Sequence, residues 1–137
     1  MKLLIVGGLL AVLCANMAAQ LQETQLTCGT RNGRFWQASN EDEKLGFIEG
    51  YMEGAKAALL DSRIPDELQT TVWESRFAGK STIGEILKGV DGFYADPANA
   101  LIPIQFAIAV FRERVRGSSP ENLEKRIATI RKAMNCK

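Results

Sequence analysis

The chain has 137 residues, 46% hydrophobic and 24% charged, with 17 basic and 16 acidic side chains and no histidine. That size fits one domain around a single core. The missing histidine excludes Ser-His-Asp and Cys-His catalysis, histidine general bases and histidine zinc sites, and the near-neutral balance argues against nucleic acid, whose binding depends on neutralising phosphates.

Residues 1–19 read as a secretory signal peptide, leaving 20–137 as a single helical domain. Lys2 is a short positive region, Leu3 to Leu13 is an uncharged apolar run, and Ala18-Ala19-Gln20 supplies small residues for cleavage after Ala19. The apolar run is too short for a permanent membrane span. Lipidation at Cys14 is disfavoured by Leu13, which stands where a small side chain is wanted. The expected compartment is periplasmic or secreted. There, Cys28 and Cys136 remain as an even pair and read as a disulfide. Closing so long a loop would stabilise by about 4–5 kcal/mol at most.

Gln20 to Gln37 lacks a sustained period and predicts an extended or loop-like arm. Asn40, with Glu43 three residues on, predicts a capped helix to about Leu60. Pro65-Asp66-Glu67 suits a helix start, whereas Thr70-Thr71-Val72-Trp73 suits an extended piece, so residues 65–78 stay open between the two. Thr82 and Glu85 form a second capping box, followed by Ile83, Ile86, Leu87 and Val90 at helical spacing. Pro103 is placed as the first residue of a further helix, whose stripe is Ile104, Ala107, Ile108, Phe111 and Val115 and whose C′ residue is Gly117. Apolar residues around most of its circumference make it the central helix. Ser119-Pro120-Glu121 opens the last helix, with Leu123, Ile127, Ile130 and Met134 as its inner stripe. The predicted fold is all-α: a small single-domain bundle of about four principal helices, plus one or two short ones, stapled by the disulfide.

Charge is uneven along the chain. Residues 20–79 carry ten acids and six bases, and residues 80–137 carry six acids and ten bases. Such asymmetry can orient a partner or hold the two halves together, but ordinary solvated helix faces are the favoured reading.

Gly46, Gly50 and Gly54 fall on one stripe of the first long helix, between Glu49 and Glu53 on one side and Phe47 and Tyr51 on the other. Three helical glycines cost about 3 kcal/mol relative to alanine. Either a neighbouring helix packs closely there, or the stripe is a shallow groove that receives a partner. Phe93-Tyr94 before Asp96-Pro97 either plugs the core or forms a surface aromatic anchor. The candidate partner-binding residues are therefore Glu49, Gly50, Tyr51, Glu53, Gly54, Phe93 and Tyr94. Gly79-Lys80-Ser81-Thr82 resembles the end of a phosphate-binding loop, but Glu74 occupies the position where that motif needs glycine. No catalytic residue, cofactor or metal is assigned.

The run Thr82-Ile83-Gly84-Glu85-Ile86-Leu87, with Val90, Tyr94, Asp96-Pro97 and Pro103, resembles the C-terminal pattern of Rap/Tai-type immunity proteins. The leader, the glycine-bearing first helix and the paired cysteines are also similar. Those proteins are periplasmic and neutralise amidase toxins delivered by type VI secretion. The chain departs from them in placing a whole helix, Pro120 to Asn135, before Cys136. The resemblance implies a non-catalytic inhibitor that occupies an enzyme's cleft. The expected function is protein–protein binding in the cell envelope, with a second copy of the chain as an admissible partner. The alternative is a periplasmic small-molecule or lipid binder.

Overall fold

The computed structural model describes residues 24–76 and 81–134. The residues read as a leader (1–19), including Cys14, together with Gly79, Lys80 and Cys136, lie outside the described residues. The fold is mostly helical, as expected, with one minimal sheet.

The N-terminal segment, expected as an extended or loop-like arm up to Gln37, is extended as a hairpin and turns helical from Gly33. β1 (Leu26–Thr27) and β2 (Thr30–Arg31) pair antiparallel, Thr27 facing Thr30. Cys28 (φ 50°) and Gly29 (φ 76°) make the two-residue turn, and positive φ at both positions matches the twist of paired strands. A short helix, α1 (Gly33–Ala38), follows directly. One side chain organises this: the Asn32 carbonyl oxygen accepts from the backbone N–H of Arg34 and Phe35, and its amide donates to the Thr24 carbonyl and to Thr27 Oγ1. A fully capped start lets six residues helicate, and packing of Trp36 into the core holds them.

α2 (Glu41–Leu60) begins with the predicted box: Asn40 Oδ1 accepts from Glu43 N–H, and Glu43 accepts from Asn40 N–H, both at 2.9 Å. The open stretch resolves as a helix, α3 (Asp66–Arg76), started where the Pro65 carbonyl accepts from Leu68 N–H. α4 (Ile83–Tyr94) starts on the Thr82–Glu85 box. A 3-10 turn (Pro97–Asn99), capped by Asp96, leads towards α5 (Ile104–Val115). Pro103 is the cap of α5 rather than its first residue, since its ψ of 146° is extended. Val115, assigned to the inner stripe, is instead 56% exposed, because the helix ends there and Gly117 (φ 85°) turns the chain away. α6 (Pro120–Ala133) buries Leu123, Ile127 and Ile130. The four principal helices expected are α2, α4, α5 and α6; α3 adds the short one left open, and α1 is the helix that the sequence prediction lacks.

α5 is central. It packs most heavily on α4, with α2 covering α4 and α6 covering α5. Two glycines permit these approaches. A Cβ on Gly89 would lie 2.1 Å from Phe111 Cδ2, and one on Gly33 would lie 2.4 Å from Tyr94 Cδ1. Polar clasps join the elements. Asp91 Oδ1 accepts from Trp36 Nε1 and Lys44 Nζ, both at 2.8 Å, tying α1 and α2 to α4. Asn99 donates to the Phe93 carbonyl at 2.7 Å and accepts from Arg131 of α6, which also pairs with Asp96. Tyr94 donates from its hydroxyl to the Ile102 carbonyl at 2.8 Å, and burial pushes its phenol well above the usual range.

Candidate binding surface

α2 is twenty residues long but buries only Ile48 and Leu59. Its glycines decide one question left open by the sequence. A Cβ at Gly46, Gly50 or Gly54 would meet nothing within 4 Å. Among the described residues no neighbouring helix packs on the stripe, which is there an open, nearly side-chain-free strip of helix. Glu49 and Glu53 beside it are exposed. Tyr51 is half-buried and packs against the core. Desolvation, with the Arg116 charge, holds the Arg112 guanidinium of α5 below its ordinary pKa, and Tyr51 beside it opposes the shift.

Phe93 and Tyr94 are corrected as candidates. They are 4% and 1% exposed, and their rings meet edge to face at 5.1 Å inside the core. Their position at the end of α4, over Gly33 and under the 3-10 turn, leaves them no surface to present. They do not join Glu49, Gly50, Glu53 and Gly54, which share the outer side of α2.

A second feature lies away from every candidate residue named above. Between the C-terminal part of α2 and α3 is an open, mainly apolar notch of about 170 Å³, lined by Lys56, Leu59, Leu60, Gln69, Thr70 and Trp73. Leu60 is 64% exposed and Leu68 is 50% exposed. The available signal was Leu59-Leu60 together with Leu68 and Trp73, which converge only if residues 65–78 are helical. Among the described residues, no group of acidic, cysteine or histidine side chains could hold a metal ion, and no helix is long and apolar enough to cross a membrane.

Two other grooves are more polar at their rims. One, of about 420 Å³, lies between α4 and α5 over Gly89 and Phe111. The other, of about 370 Å³, lies between the starts of α2 and α4, with Glu41, Asp42, Lys44, Lys88 and Asp91 around it. The carboxylate of Asp91 is already committed to Trp36 and Lys44, so part of this groove's mixed charge is internally paired.

No family model matches the chain, and neither a curated protein nor a solved structure matches it.

Proposed function

We propose that this chain is a small exported helical protein that acts by binding another protein, without catalysis or a cofactor. The observation that carries this reading is the exposed side of α2, where among the described residues a bare glycine strip runs beside exposed Glu49 and Glu53 and, further along the helix, exposed Leu60 borders the apolar notch against α3. Contiguous exposed apolar surface with a polar rim is the usual mark of a protein contact. An inhibitor of a cell-wall amidase, of the immunity type, is the form of this function that the sequence resemblance favours. The compartment is the periplasm or the exterior, which the leader supports. A Cys28–Cys136 disulfide belongs to the same reading. It is supported by Cys28, which is bonded in a disulfide while the chain's other two cysteines, Cys14 and Cys136, lie outside the described residues.

The notch is open and smaller than the roughly 300–1,000 Å³ of typical ligand pockets, so a small-molecule or lipid binder would have to use one of the two larger grooves, of about 420 and 370 Å³. The test is a pull-down from the cell envelope with the mature protein, beside a Gly50→Arg variant. Recovery of a peptidoglycan amidase by the parent, lost in a variant that still folds, supports the proposal. Recovery of lipid alone, or equal capture by both, overturns it.

A further inference from the structure

We propose that α3 is a detachable flap, docking on the C-terminal part of α2 and lifting off as a unit while α1, α2, α4, α5 and α6 stay folded. The inference rests on packing and stands apart from the binding function proposed above.

Leu59 carries the first part of the argument. Among the described residues it is the buried apolar side chain that lies outside the central cluster, in which Trp36, Ile48, Tyr94, Ile108 and their neighbours are contiguous. It has a small site of its own, shared with α3 through the notch. Among the described residues the extensive contacts of α3 are with α2, whereas α4 meets both α2 and α5. From Glu67 to Glu74 no α3 side chain is fully buried; Gln69, Val72 and Trp73 are half-covered and the rest are exposed.

Local structure carries the second part. An eleven-residue helix is below the length at which isolated helices persist in water, and Thr70-Thr71-Val72 places three β-branched residues in its middle. α3 therefore depends on docking, and its docking site is small. The connection from α2 is self-contained: Ser62 Oγ donates to the Leu59 carbonyl, Ile64 N–H donates to Ser62 Oγ, and Gln69 donates to the Ile64 carbonyl. These bonds span at most five residues, so the joint stays intact when α3 leaves the notch. Segments with few buried contacts open below the global unfolding free energy. Opening would uncover Leu59 and the inner side of Trp73, enlarging the apolar surface at the end of α2.

Native-state hydrogen exchange on the purified protein tests the flap. Amides of α3 should be protected, yet exchange at least about tenfold faster than buried amides of α4 and α5, with little dependence on low denaturant. Leu59→Ala should accelerate α3 about tenfold more, raise acrylamide quenching of Trp73 and leave α4, α5 and Trp36 unchanged. The proposal is overturned if α3 exchanges in step with α4 and α5, if Leu59→Ala accelerates all helices equally, or if α3 has no protection in the parent protein.

Discussion

The two tryptophans mark two differently built regions. Trp36 is 1% exposed, sits in the central cluster, meets the Phe47 ring edge-on and donates to Asp91. Trp73 is half-exposed at the notch between α2 and α3. Around Trp36, helices from both ends of the chain interdigitate and glycines are placed where rings press on the backbone. Around Trp73, one helix lies on the end of another. The same glycine residue type is thus used in opposite ways: Gly33 and Gly89 admit a ring, while Gly46, Gly50 and Gly54 leave a helix side bare.

The sharpest way to break this contrast is to truncate each tryptophan. Trp36→Ala should cost about 3–5 kcal/mol, enough to abolish a cooperative thermal transition. Trp73→Ala should cost about 1 kcal/mol or less and leave near-ultraviolet circular dichroism from the core intact. Equal losses would mean that α3 belongs to the core.

Alanine at the glycines comes next. Gly33→Ala places a methyl 2.4 Å from the Tyr94 ring and 3.1 Å from Ala100 Cα, and should destabilise by about 1–3 kcal/mol in chemical denaturation. Gly50→Ala enters open space and should stabilise by about 1 kcal/mol. A loss at Gly50 would place an unseen neighbour on the strip.

Asp91 separates charge from hydrogen bonding. Asp91→Ala leaves the buried Trp36 N–H without its acceptor and should cost about 1–3 kcal/mol. Asp91→Asn keeps an acceptor and removes only the partly exposed ion pair with Lys44, so its cost should stay below about 1 kcal/mol and shrink in high salt.

The smallest effect is at the start of α4. Glu85 accepts from Thr82 N–H and Oγ1, and these bonds hold its carboxyl below the usual range. Its folded pKa lies below its unfolded one. Its contribution is therefore present above the ordinary carboxylate range and is lost as pH falls through the lowered value. Thermal unfolding followed from pH 7 downward should show a slight extra acid loss that Glu85→Gln flattens.

Much of the fold was legible because local signals agreed with the packing. The Asn40–Glu43 and Thr82–Glu85 boxes set helix starts to the residue, and the inner faces of α5 and α6 follow their apolar spacing. α1 was not legible because its cause is tertiary: Asn32 joins a hairpin to a helix, and Trp36 finds its acceptor 55 residues away. The glycine strip was legible as a feature, but not its openness, since sequence cannot say whether a second helix arrives. Phe93 and Tyr94 illustrate the converse. Aromatics before Asp-Pro look similar as an anchor or as a plug, and only Gly33, whose missing side chain receives the Tyr94 ring, decides for the plug. The α2–α3 notch stayed hidden because its two halves meet only once residues 66–76 are known to be helical.

The long reach of the α1 contacts also orders events on a growing chain. Trp36 waits for Asp91, and Gln37 Nε2 waits for the Tyr94 carbonyl 57 residues later, while α4 and α5 can meet across a short connection. Low sequence separation favours rapid association, so α4–α5 is the natural nucleus. The N-terminal hairpin and α1, although made before α4 and α5, would then be among the last to settle. A nascent chain would carry that hairpin and α1 unsettled until α4 had been synthesised.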